Sequence, residues 1–197
     1  ANLLLAGRTP AWLPFVPILA RLCRWIVRDS AKPEVRPLEP NLVSTPSLAI
    51  DQVVRKLVGM IVEGDAGLRI AYNALIQSDP KTIETAVAEV SRREADIDKH
   101  QTEATVYIQR ISQKPLTEAQ SVQLPRLLHA INDAERIGDH VQGLARMIKQ
   151  GEKRGIAFDA DMLSDMKEMY LAITDMFKTV GGNLINMDRE RLSRVTA

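Results

Sequence analysis

With one cysteine in 197 residues, the chain cannot close an internal disulfide. That removes the small secreted scaffolds that depend on such staples. Aromatic residues make up only 4% of the chain, whereas all-β sandwiches and barrels lean on Tyr, Trp and Phe. Neither charge sign dominates: 26 Lys+Arg stand against 25 Asp+Glu, a net charge of +1. A dedicated nucleic-acid binder needs a clear basic excess, so that class is excluded. The chain has no glycine-rich phosphate loop, no Cys-Cys metal pair and no H-E-x-x-H, and with them go the chemistries those motifs carry. Cys23 and the three histidines offer no nucleophile–base spacing. What remains, 45% apolar and 26% charged, is the composition of an ordinary folded domain.

The averages conceal two differently built pieces. Seven of the ten prolines fall in residues 1–46. Residues 1–40 carry a charge of +3 and residues 41–197 a charge of −2. Residues 9–20, TPAWLPFVPILA, are uncharged, but twelve residues cannot span a bilayer as a helix, which takes about 20. Arg21, Arg24 and Arg28 follow, with Trp25 among them. Basic residues and Trp just after an apolar run mark the cytoplasmic end of a membrane segment. A signal peptide places its positive region first and ends in a small-residue cleavage site, and this order is the reverse. Residues 1–28 therefore read as the end of a membrane domain or a juxtamembrane segment, with an apolar arm packed on a partner or on this domain as the alternative. The chain starts at Ala1 without an initiator Met, which suggests a piece of a longer protein. Residues 29–45 mix proline with polar residues and show no period, the chemistry of an extended linker.

From Thr45 onwards the pattern is helical. Thr45 with Pro46 starts the first helix, whose apolar seam runs Ile50, Val54, Leu57, Ile61, Leu68, Tyr72 and Leu75. Asp79-Pro80 opens the second, along Ile83, Val87, Val90, Ile97, Ala104, Ile108 and Ile111. Thr117 and Gln120 form a capping box for the third, along Leu124, Leu127, Ile131, Ala134, Val141, Ala145 and Ile148. A fourth helix starts near Asp159 or Asp161 and runs along Leu163, Met166, Tyr170, Ile173, Phe177, Val180, Leu184 and Met187. Steps of three and four over many turns predict left-handed bundle packing, and the short breaks predict antiparallel neighbours. Pro125 is expected to kink the third helix, and Gly181-Gly182 to weaken or break the fourth. The surplus methionines Met162, Met166, Met169 and Met176 read as adaptable core filler, with a dimer or domain seam as the alternative. Residues 46–197 are thus an all-α antiparallel bundle.

Two acidic pairs interrupt the seams. On the second helix Glu94 occupies a seam position, and Asp98 follows one turn later. On the third, Glu135 falls inside the apolar arc and Asp139 at its edge, while His129, Asp133, Arg136 and His140 point outward. If the two helices are antiparallel neighbours, Glu94, Asp98, Glu135 and Asp139 converge. Like charges at i, i+4 repel and a buried unpaired carboxylate is costly, so something must neutralise them. An all-oxygen set suits Mg²⁺, Ca²⁺ or Mn²⁺, and carboxylate-rich bundles also hold iron. The bland alternative is pairing by Arg92, Arg93 or Arg110, or simple solvation. Gly138 lets a helix, a water or an ion approach. Glu63 and Asp65 flank Gly64 on the first helix and carry no assigned role.

Residues 133–140, D-A-E-R-I-G-D-H, resemble the E-R-I-G-D motif of PhoU-like domains. Glu94 to Asp98 matches that family's other acidic pair. Ser44–Ile50, S-T-P-S-L-A-I, and the apolar stretch at 13–20 are similar to bacterial sodium/phosphate cotransporter family proteins, whose membrane domain precedes a cytoplasmic PhoU-like domain. The resemblance implies a three-helix bundle, here with a fourth C-terminal helix, acting in phosphate homeostasis. It also implies acidic motifs that in some members bind multinuclear metal clusters. The chain departs from the full-length pattern in having one E-R-I-G-D rather than two. The expected function is a regulatory, non-catalytic domain of a sodium-dependent phosphate cotransporter. Its expected place is the cytoplasmic face of a bacterial cell membrane, with the upstream membrane domain as partner. A stand-alone phosphate-signalling regulator and a metal-free helical interaction module are the alternatives. Catalysis of the ferritin-like kind needs Glu-x-x-His ligands, and positions 97 and 138 are Ile and Gly.

Overall fold

The computed structural model describes residues 37–156 and 158–195; of residues 185–195 it describes the backbone alone. The expectations for 1–28, and for the linker up to residue 36, lie outside the described residues. Four long helices carry the fold: α1 (Pro46–Gln77), α2 (Pro80–Ser112), α3 (Glu118–Lys153) and α4 (Ala160–Val195). No strand occurs among the described residues, and no helix among them is long and apolar enough to cross a membrane.

Local chemistry sets most of the helix ends. Ser78 closes α1 in the left-handed region, φ 51°, and its N–H returns to the Ala74 carbonyl at 3.0 Å. Asp79 then caps α2, its carboxylate accepting from the Thr82 N–H at 2.8 Å. At α3 the capping box is complete: the Gln120 N–H donates to Thr117 Oγ1 at 3.3 Å and the Thr117 N–H to Gln120 Oε1 at 3.0 Å. Asp159 caps α4 by accepting from the Met162 N–H at 2.8 Å. Thr45 departs from expectation. It occupies the cap position of α1 but makes no side-chain capping bond, and only its carbonyl joins the helix, through the Ala49 N–H at 3.1 Å. α3 runs on through Pro125, and α4 is not broken at Gly181-Gly182.

α1 is the central rod. Close helix pairs are α1–α2, α1–α3, α1–α4 and α2–α3. Three partners bury α1 on nearly every side between Val53 and Ile61, so its buried surface is much wider than one seam. The seams of α2 and α3 are buried as their spacing predicts, with only Val87 half-exposed. α4 docks on α1 through Tyr72 and Tyr170, whose rings stack 4.1 Å apart and 3° from parallel. The end of the supposed linker belongs to the bundle as well. Pro40–Ser44 forms a single 3-10 turn, Val43 is buried, and the Tyr107 hydroxyl donates to the Glu39 carbonyl at 2.8 Å.

The core divides in two. One cluster gathers Ile50 to Ile61, Ile97 to Ile111 and Leu124 to Ala134; the other gathers Leu68 to Leu75, Ile83 to Val90 and Val141 to Ile148. Glycines and polar side chains occupy the level between them, and there the candidate site lies.

Candidate functional site

Gly138 brings α2 and α3 together at the division. A Cβ at Gly138 would meet Ile97 Cδ1 at 3.1 Å and Ile97 Cγ2 at 3.4 Å. The close approach that the sequence left open is therefore to a helix, through the fully buried Ile97. Gly67 of α1 plays the same part against Val141 Cγ1, at 3.1 Å.

Around this crossing stand the four predicted acids. Glu94 and Glu135 are half-buried, while Asp98 and Asp139 are exposed. The two helices do bring the pairs into each other's field. Burial first, then the charges of Asp98 and Asp139, push the Glu94 carboxyl above its ordinary range. Burial, then Asp139 and Asp98, push Glu135 up likewise. The acids of each helix thus act on the glutamate of the other across α2 and α3.

None of the arginines considered as partners neutralises these acids. Arg92 pairs with Glu89 and Asp96. Arg93 pairs with Glu63 and with Glu89, which gives Glu63 a structural role, and Asp65 pairs with Arg69. The contact to Glu94 comes instead from the buried Gln142, whose amide donates to Glu94 Oε2 at 2.6 Å. Its position on the edge of the α3 seam was the available sequence clue.

The donors are all carboxylate oxygens, which fits a hard cation and not a thiophilic one. As placed, no three acidic, His or Cys side chains among the described residues cluster closely enough to hold an ion. The set is two acidic pairs on neighbouring helices, and a hard cation would need their side chains drawn together and water added to reach six or more oxygens.

A second polar group was not foreseen. Lys56 of α1 is only 2% exposed. Its ammonium donates to Glu103 Oε2 and lies 3.3 Å from His100 Nδ1, both on α2. The Lys56 bond holds Glu103 below the ordinary carboxylate range. Burial, then the Lys56 charge, holds His100 below the ordinary imidazole value.

Comparison with known proteins agrees with the motif. The chain is 25% identical over 170 residues to a protein of Escherichia coli O157:H7 named "Putative inorganic phosphate export protein YjbB". The match covers 83% of this chain and 30% of that protein, so the chain spans about a third of its relative's length. No solved structure matches. The family model described as PhoU domain matches residues 60–148, the stretch that runs from mid-α1 through both acid pairs to the buried end of the α3 seam. Motif, helix order and family match thus agree on one likeness, that of residues 60–148 to a PhoU domain.

Proposed function

We propose that this chain is a control domain for phosphate movement across a bacterial membrane, acting from the cytoplasmic face on a membrane domain encoded upstream. The observation that carries the reading is the PhoU-domain match at residues 60–148, set within a wider likeness to a protein named for phosphate export. The domain is read as regulatory and not catalytic. Sodium-coupled uptake is the finer reading favoured by the S-T-P-S-L-A-I stretch at 44–50. Export is the second reading, favoured by the relative's name. Sodium dependence of the phosphate flux separates the two.

Glu94, Asp98, Glu135 and Asp139 would hold a divalent cation or an iron cluster, with water completing the shell. The bound charge would neutralise carboxylates that otherwise repel across α2 and α3. The test is thermal melting and metal analysis of the full chain. Mn²⁺ is expected to raise Tm in the native chain and to leave Glu135→Gln/Asp139→Asn unchanged. Equal responses in both would remove the cation site and leave the phosphate reading standing. The phosphate reading has its own test, in-frame removal of residues 46–195 from the encoding gene. Labelled-phosphate flux should then cease to adjust to external phosphate, and a response identical to wild type would overturn the reading.

A further inference from the structure

α4 carries more apolar surface than α1 covers. Leu163, Met166, Tyr170 and Phe177 are half-buried and packed on the core. A second line, Met162, Met169, Ile173, Met176 and Val180, runs beside them and ranges from 37% exposed at Ile173 to 66% at Met176. The methionines expected as core filler therefore stand mostly on the surface, and only Met166 faces the bundle. From Met169 onwards the line alternates steps of four and three, the spacing by which one helix receives another at a shallow crossing angle.

The line borders a cavity of about 350 Å³ between α3 and α4, with Ile61 and Leu68 of α1 also in its lining and Ile137, Val141 and Leu144 on the α3 side. It is open because α4 makes close backbone contact with α1 and none with α3 among the described residues. Towards the other end of α3 a second, separate cleft is lined by Leu184 of α4 and by Val122 and Arg126 of α3. The α3–α4 boundary is thus grooved at two levels.

One edge of this apolar line is acidic. At about 100° per residue, Asp161, Asp165, Glu168 and Asp175 fall on the side of α4 away from α1, and all four are exposed. The opposite rim, on α3, is mixed, with Arg136 lying 3.9 Å from Asp133.

We propose that the α3–α4 groove docks a basic amphipathic helix of another protein, with its apolar stripe on the methionine line and its Lys/Arg edge on the four acids. Charge selects this occupant over a second copy of the chain. Antiparallel two-fold pairing through α4 presents the same patch from both copies, which sets one acidic edge against the other. Like charges so placed repel. Methionine suits the role because its flexible thioether side chain repacks around the partner's apolar residues.

The test uses the full chain and two labelled synthetic peptides with Leu at heptad a and d positions, one flanked by Lys and the other by Glu. In fluorescence anisotropy the Lys peptide should bind saturably, at least about ten-fold tighter than the Glu peptide, and weaken with salt. Met169→Asp/Met176→Asp should abolish binding. Glu168→Lys/Asp175→Lys should shift the preference to the Glu peptide. All four positions are exposed, so circular dichroism and Tm should stay unchanged and show that folding is intact. Four results would overturn the proposal: absence of binding, equal binding of both peptides, binding that survives Met169→Asp/Met176→Asp, or dimerisation of the free chain that this double variant removes.

Discussion

Lys56 is buried, and its ammonium depends on Glu103 and His100 of α2. A buried charge that loses its partner costs more than the pair contributes. Glu103→Gln should therefore destabilise the bundle by about 2–3 kcal/mol, while Lys56→Met should be close to neutral; chemical denaturation compares them directly. The pH dependence follows from the same trio. His100 is held below its ordinary value, with Lys56, Glu103 and Asp96 as the charges acting on it. The unfolded chain therefore takes up that proton first, so stability falls as pH drops through the imidazole range. Glu103, held below its ordinary range, adds a loss at lower pH. His100→Gln should flatten Tm through the imidazole range and leave the acid limb in place. A steeper slope in the variant would contradict this. Nothing in the sequence marked Lys56, because α1 buries nearly its whole circumference and a single-seam reading places position 56 outside. Gly138 was legible as a close approach, but its neighbour was not. With Ile97 1% exposed and its Cδ1 only 3.1 Å from an added Cβ, overpacking in Gly138→Ala should outweigh Ala's better helix propensity, for a net loss of about 1 kcal/mol.

Helix ends were the best-read elements where a side chain supplies the missing acceptor. Asp79, Thr117 and Asp159 each do so, and in each case the residue type and its place before a periodic run were visible. Thr45 has the same residue type in the same place, yet the preceding 3-10 turn fixes its backbone at φ −120° and ψ 85° without a capping bond. Thr117→Ala should cost about 1 kcal/mol and Thr45→Ala only a few tenths. Equal losses on thermal melting would show the distinction to be wrong. The periodicity of α4 gives a single seam because inward and outward apolar residues run side by side. Its two faces separate only when α1 is seen to cover one of them. Gly181-Gly182 persists within α4, since propensity is a weak prior that neighbouring turns override.

For the molecule as a whole, four helices and their order were legible because period, caps and short breaks all gave the same answer. The division of the core was not, since it depends on which levels of α1, α2 and α3 meet. The acid pairs lie at that division, where Gly138 sets the spacing of α2 and α3 and where Glu94 and Glu135 feel the acids of the opposite helix. If this level is where the domain controls phosphate movement, its charge should matter more than its fold. Cells carrying Glu94→Gln/Asp98→Asn/Glu135→Gln/Asp139→Asn in the encoding gene test this most directly, by labelled-phosphate flux at low and high external phosphate. The prediction is a flux that persists but no longer differs between the two conditions, with the protein present at wild-type levels. A flux that still adjusts to external phosphate as in wild type would contradict it.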